Sequence, residues 1–315
     1  MPLAPICLFT YNRLNETKAT IEALQKNHLA ADSQLFIFSD GWKREEDKDK
    51  ILAVRDYLST VGGFETVQVI PSEKNNGLAK SIIEGVTDML SQHDRVIVLE
   101  DDLITTSNFL DFMNQALDYY ENSQKIQSIS GFSLKIKSKP QGRDVFLHRR
   151  AHSWGWATWS SRWDKKIFDK ERIRHDIDSN PTLLSDFKKA CGEDIDGMLL
   201  DSLSGRHDSW YVRWCLDHFK KGRFSVYPVY SKVSNIGFSE EGTHCKTVNV
   251  FETEIDTSLS RKFAFTMDDD TPQISREFSN YFTRSYKLMF RLKMIGSSSG
   301  RKELIKEVKS KFFER

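Results

Sequence analysis

The chain has 315 residues, 39% hydrophobic and 29% charged, with 21 Phe and 7 Trp. That composition excludes disordered and fibrous classes and leaves room for one large α/β domain or two modest ones. Lys and Arg (46) balance Asp and Glu (45), so a net charge of +1 creates no global field that would draw nucleic acid as a partner. The charge is uneven locally, with ten Lys/Arg against three Glu from 284 to 315.

The N-terminal third alternates strand and helix signals. Pro5 to Thr10 is an apolar run of strand length. Asn15 is placed to cap a helix over Glu16–Lys26, with Ala19, Ile21 and Leu24 on its apolar side. Gln34–Ser39 reads as a second strand. Asp47–Val61 reads as a helix, with Ile51, Val54, Leu58 and Val61 at spacings of three and four. Phe64–Ile70 is a third strand, Ala79–Leu90 a helix and Arg95–Leu99 a fourth strand. Strands that are apolar throughout and alternate with helices predict a mostly parallel central sheet covered on both faces, an α/β fold. Ligands of such sheets bind where strands end. The polar segments there are Thr10-Tyr11-Asn12-Arg13, Ser39-Asp40-Gly41-Trp42, Asn75-Asn76-Gly77-Leu78 and Glu100-Asp101-Asp102.

Phe109–Tyr120 reads as another helix, and six of the seven tryptophans fall between Trp154 and Trp214. Phe224–Pro228 is strand-like, 255–277 reads as loop, and Asn280–Phe313 reads as helix with a Gly-Ser break at 296–300. The four cysteines (Cys7, Cys191, Cys215, Cys245) form no C-x-x-C pair, which fits reduced thiols in the cytoplasm. No basic n-region precedes a long apolar stretch at the N-terminus, so no signal peptide is expected. No run approaches the roughly 18 apolar residues that span a bilayer.

Three adjacent carboxylates at the end of the buried strand Val96-Ile97-Val98-Leu99 repel one another, and burial makes each costlier. A divalent cation, Mn²⁺ or Mg²⁺, stabilises such a set through hard oxygen ligands. The competing reading has the acids capping a helix or facing solvent.

With Asn76-Gly77-Leu78-Ala79-Lys80 added, these strand-end motifs resemble inverting glycosyltransferases of the GT-A fold. The likeness is to a family-2-like group of bacterial sugar transferases related to the N-acetylglucosaminyltransferase I type, and it covers about residues 5 to 250. It implies a Rossmann-like GT-A domain over 1–250, with a nucleotide-binding half (1–103), an acceptor half (104–250) and a C-terminal helical extension (251–315). The Glu-Asp-Asp turn stands where most such enzymes carry Asp-x-Asp. The resemblance makes Asp102 the metal ligand and places Glu100 and Asp101 near ribose and metal-bound water. It makes Asp40 a reader of base or ribose. Thr10, Tyr11, Asn12, Arg13, Asn76, Gly77 and Lys80 would line the donor, a UDP-sugar being favoured. A salt bridge at a loop explains Arg13 as well, and a plain helix-entry turn explains Asn76, Gly77 and Lys80.

Trp rings offer apolar faces to a sugar's C–H surface, and similar transferases carry a Gly/Trp element beside the donor sugar. That points to Trp154, Gly155 and Trp156; the alternative is a Trp-rich core between two halves. In resembling enzymes an acid at a helix start removes the acceptor's hydroxyl proton, which maps to Asp208 in His207-Asp208-Ser209-Trp210. Asp208 is equally suited to cap that helix. Because related enzymes read Asp-Asp-Trp, Ser209 stands where the second acid would be. His244, in Gly242-Thr243-His244-Cys245, is a candidate late metal or diphosphate ligand.

Basic residues interleaved with Leu, Met and Phe from Tyr286 to Phe313 fit either a helix on an anionic membrane surface or one docked on the domain with a solvated basic face. The function expected is metal-dependent, inverting transfer from a nucleotide-sugar to a saccharide or lipid-linked saccharide acceptor. The setting expected is bacterial surface polysaccharide synthesis, in the cytoplasm or peripherally on the inner face of the membrane. Two alternatives are a sugar nucleotidylyltransferase, whose Gly-rich basic nucleotide loop is missing at Phe9–Arg13, and a non-catalytic carbohydrate-binding protein, which needs no Glu-Asp-Asp turn.

Overall fold

The structure is a computed structural model that describes residues 2–237, 251–268 and 272–296, together with 298, 300–302, 304 and 305. The N-terminal third runs β1 (Ile6–Thr10), α1 (Leu14–Gln25), β2 (Gln34–Ser39), α2 (Lys48–Leu58), β3 (Thr66–Pro71), α3 (Leu78–Gln92) and β4 (Arg95–Glu100). Helix α1 starts one residue before the expected cap Asn15: Arg13 occupies the N-cap and makes no side-chain cap bond. The middle of the chain follows as β5 (Leu103–Thr105), α4 (Phe109–Tyr120), β6 (Ile126–Ser130), β7 (Val145–His148) and β8 (Trp156–Trp159). Then come α5 (Lys170–Ser179), α6 (Leu183–Cys191), α7 (Ile195–Ser204), α8 (Trp210–Lys220), β9 (Phe224–Pro228) and β10 (Val233–Asn235). The C-terminal helices are α9 (Pro272–Asn280) and α10 (Arg284–Ile295).

Among the described residues eight strands form one sheet in the order β3-β2-β1-β4-β8-β6-β9-β7. β3, β2, β1 and β4 pair in parallel. β8 runs antiparallel to both β4 and β6, β9 is parallel to β6, and β7 is antiparallel to β9. This is the mostly parallel, helix-flanked α/β sheet that the alternating pattern predicts, with two reversed strands that the pattern does not reveal.

β1 and the first five residues of β4 are buried because helices cover both sheet faces. On one face Ile21 and Leu24 of α1 and Val54 and Leu58 of α2 pack on Leu8, Leu35 and Ile37. On the other, Ile82, Val86 and Met89 of α3 and Val212, Trp214 and Cys215 of α8 meet Cys7, Phe9, Val96, Val98 and Trp156. The chain leaves β1 for α1 on one face and reaches β4 from α3 on the other, so the topological switch lies between β1 and β4, and a ligand crevice belongs at their C-terminal ends.

Residues 251–268 form no helix, in keeping with the loop expected from 255 onward and unlike a helical extension. They are held on the domain by hydrogen bonds and packing: Asn108 Nδ2 donates to Asp256 Oδ2 (3.0 Å), Lys135 N–H to Glu252 O (2.8 Å) and Tyr120 Oη to Thr266 O (2.6 Å), while Phe263 and Phe265 pack on the α4 side of the core. α9 also begins inside the stretch expected to be loop, because Ile274 and Phe278, one helical turn apart, are both buried. Cys7, Cys191 and Cys215 are free and buried; Cys245 lies outside the described residues.

Candidate active site

The four strand-end segments meet on one rim, joined by hydrogen bonds. Asp40, leaving β2, turns its carboxylate to the loop before α3. Its Oδ1 accepts from the Gly41 and Asn76 backbone N–H (both 2.9 Å), and its Oδ2 accepts from Gly77 N–H (2.9 Å) and Asn75 Nδ2 (3.0 Å). Gly77 can present that N–H because φ is 75° there, a left-handed conformation that glycine adopts without a Cβ penalty. Gly41 is required by contact: a Cβ on it would lie 2.5 Å from the Lys74 carbonyl carbon and 2.9 Å from Asn75 N. Gly41→Ala should therefore force these two loops apart, at about 1–3 kcal/mol in urea unfolding; stability equal to wild type would show that the contact is not made. Arg55 of α2 staples the same corner, donating to Ser39 O (3.2 Å), Asp40 O (3.2 Å) and Ser72 O (2.7 Å).

On the other side of β2, the loop after β1 closes on the acidic turn. Tyr11 N–H donates to Asp101 Oδ2 (3.3 Å). The Arg13 guanidinium pairs with Asp101 Oδ1 and, at 3.1 Å, with Asp102 Oδ2. Tyr11 Oη and Asn12 Nδ2 both reach Asp47 (3.3 and 3.2 Å), an acid whose place at the start of a helical pattern gives no sign of that role. Asp102 also meets the strand arriving from the far end of the chain. β10 pairs with β5 so that Asn235 faces Leu103, the Ile236 N–H donates to Asp102 O (2.9 Å), and the Gly237 backbone lies against the Asp102 carboxylate.

The electrostatics follow from that packing. Asp101 and Asp102 are 3% and 7% exposed. Burial raises both carboxyls above their ordinary range against the pull of Arg13, Asp101 to about 6. Burial would lower Arg13, but Asp101 and Asp102 outweigh it and hold the guanidinium charged. Glu100 is pushed up to about 8, by burial first and then by repulsion from Asp102 and Asp101. It has no hydrogen-bond or ion-pair partner among the described residues. Two of the three carboxylates thus share one guanidinium while Glu100 is unmatched, and a hard cation suits the unmatched oxygens. Among the described residues no three His, Cys, Asp or Glu side chains converge as a ready-made metal cage. His244 lies outside the described residues.

The remaining candidates are spread further. Trp154 is partly buried against Phe132, with ring centroids 4.6 Å apart. Gly155 O accepts from Gly131 N–H (2.6 Å). Trp156 is 1% exposed, its ring closed in by Trp163, Trp210 and Trp214 at 4.4–5.7 Å. The expectation that it contacts a donor sugar is corrected: it is core, because β8 turns its ring under α8. Lys80 is exposed and has no partner among the described residues.

Asp208 stands just before α8, whose Trp210 lies 5.2 Å from Trp156, itself paired with Val98 near the end of β4. Its side chain does not cap α8, where Ser209 is the N-cap. Half exposed, it pairs with Arg213 (3.0 Å) and Lys170 (3.2 Å).

No family model matches the chain, and no curated protein matches its sequence. Three solved structures are similar in part. A mannosyltransferase, PcManGT from Pyrobaculum calidifontis, in complex with GDP-Man and Mn²⁺, is 12% identical with a TM-score of 0.35, over 54% of this chain and 47% of that one. TarS of S. aureus is 11% identical with a TM-score of 0.34, over 50% of this chain and 28% of that one. The galactosyltransferase LgtC, with donor and acceptor sugar analogs, is 10% identical with a TM-score of 0.35, over 70% and 72%. The chain thus spans about half of the first and under a third of the second. At these scores the likeness gives no residue a role.

Proposed function

We propose that the chain is an inverting glycosyltransferase that binds a nucleotide-sugar, a UDP-sugar being favoured, across the rim between β1 and β4. The observation that carries this reading is the convergence, at the switch point, of the Tyr11–Arg13 loop, the Asp40-bound turn and the Glu100-Asp101-Asp102 turn, held by direct hydrogen bonds and ion pairs. Backbone amides, a guanidinium and carboxylates at strand ends are the groups that orient a nucleoside diphosphate. Mn²⁺ or Mg²⁺, held by Asp102 with Glu100 beside it, would neutralise charge on the diphosphate.

Arg13 supplies a second positive charge to the leaving diphosphate from within the chain. Asp208 removes the proton of the acceptor hydroxyl as that oxygen attacks the anomeric carbon and the bond to the diphosphate breaks; Arg213 and Lys170 hold its carboxylate in place. The acceptor is a saccharide or lipid-linked saccharide, and the setting is cell-surface polysaccharide synthesis on the cytoplasmic side. A carbohydrate-binding module without catalysis fits less well, because Trp156, Trp163, Trp210 and Trp214 are packed into the core and offer no sugar platform.

The test is a thermal-shift screen of UDP-, GDP-, CDP- and dTDP-sugars with and without Mn²⁺. At least one donor should stabilise the wild type, and Asp102→Asn should abolish the Mn²⁺-dependent part. Asp208→Asn should keep donor binding and lose turnover. Stabilisation by none of the donors removes the proposal, and an active Asp208→Asn moves the base elsewhere.

A further inference from the structure

The geometry points to α10 as an interfacial helix that binds the surface of an anionic lipid bilayer, whatever the chemistry at the rim. The helix is capped by Thr283, whose Oγ1 accepts from Tyr286 N–H (3.2 Å). One face docks. The Tyr286 ring sits 4.7 Å from Tyr281, Lys287 pairs with Asp194 (2.8 Å), and Phe290, Arg291 and Met294 continue the same row, all partly buried. At 100° per residue the opposite face is centred on Leu288, Met289 and Leu292, with Ile295 at its edge. These four are 61%, 51%, 58% and 51% exposed.

The flanks carry the second half of the argument. Arg284 and Lys293, both exposed, stand on opposite margins of the apolar stripe, where long basic side chains keep their charge at headgroup level while an apolar row enters the acyl boundary. α10 contains four cations and no acid. A second copy of this helix would bring cations against cations along both margins, and a nucleic acid would leave the Leu and Met stripe in water. Lipid phosphates with acyl chains behind them satisfy both features. Exposed Arg301, Lys302 and Ile305 extend the same chemistry. Among the described residues no helix is long and apolar enough to cross a membrane, so the mode is attachment from one side.

The experiment is co-sedimentation of the 315-residue chain with vesicles of phosphatidylcholine alone or with about one-third phosphatidylglycerol. Binding is expected to the anionic vesicles only and to weaken with salt. It should fall at least about tenfold in Leu288→Glu/Leu292→Glu and in Arg284→Glu/Lys293→Glu. Both pairs lie on the surface, so their melting temperatures should match wild type. No sedimentation of the wild type, or undiminished binding by both double variants, overturns the inference. So does a concentration-dependent dimer broken by Leu288→Glu/Leu292→Glu, which would make the face a contact between copies.

Discussion

Replacing Glu100 with glutamine should raise the stability of the protein at pH 8 by roughly 3–4 kcal/mol in urea unfolding, while weakening donor binding. Glu100 ends a buried strand beside two more carboxylates, and Arg13 is already engaged by Asp101 and Asp102. Its carboxyl ionises near pH 8 in the folded chain and near 4.5 in the unfolded one. Between those values the unfolded state has released the proton and the folded state still holds it, so stability falls as pH rises, by about 1.4 kcal/mol per pH unit. Below pH 4.5 both states are protonated and the gain from glutamine should vanish. If the acidic turn is a cation site, Mn²⁺ should stabilise wild type more than Glu100→Gln. A variant less stable than wild type at pH 8 would mean that Glu100 is already paired and the turn is not electrostatically loaded.

How much of this was legible beforehand differs from residue to residue. The rim was legible because hydrophobic runs of strand length place Thr10, Asp40 and Glu100 at the ends of parallel strands without any knowledge of tertiary contacts. The sequence allows either a diphosphate or a local acid as the partner of Arg13, and only the approach of α1 to β4 shows the guanidinium between Asp101 and Asp102. Asp47 and Arg55 gave no signal: each sits at a polar position of a helical pattern, and its role depends on a loop more than a dozen residues away. The tryptophans were ambiguous in principle, since a sugar platform and an aromatic core draw on the same residue type, and burial under α8 decides it for Trp156. β8 and β7 were invisible as reversed strands because pairing direction is not written in a four-residue apolar run. The segment 255–277 reads as loop, yet Asp256 and the Thr266 carbonyl bind residues of α4 and its N-cap, a long-range match that no local pattern encodes.

Lowering the pH from 7.5 to 5 should cost Glu100→Gln about 3 kcal/mol more than the wild type, because the variant keeps the acid loss from three buried histidines and lacks the gain from protonating Glu100. His148, His152 and His218 are each held down to about 3, by burial first. Arg150 adds to the effect at His148 and His152, and Lys221 and Arg223 add to it at His218. Their rings are committed as neutral imidazoles. His148 Nδ1 accepts from Arg150 N–H (3.0 Å). His152 Nδ1 accepts from Trp154 N–H (3.4 Å). His218 Nδ1 donates to Trp214 O (2.8 Å) while its Nε2 meets Ser128 Oγ (2.9 Å). Because the folded values lie below the unfolded 6.5, stability is full above 6.5 and drains as pH falls toward 3. At pH 5 each ring costs about 2 kcal/mol, roughly 6 in all. Glu100, Asp101 and Asp102, all raised by burial, act in the opposite direction as they become protonated in the folded state, Glu100 alone regaining about 3 kcal/mol over the same interval. Asp194 and Asp256, held below the usual carboxylate range against the cost of their burial by Arg150 and Lys232, stay ionised in both states at pH 5 and change nothing. Nuclear magnetic resonance gives the independent check: the ring signals of His148, His152 and His218 should not move between pH 7.5 and 5. A histidine of this set that titrates there would remove its share of the acid loss and show that its ring is open to water.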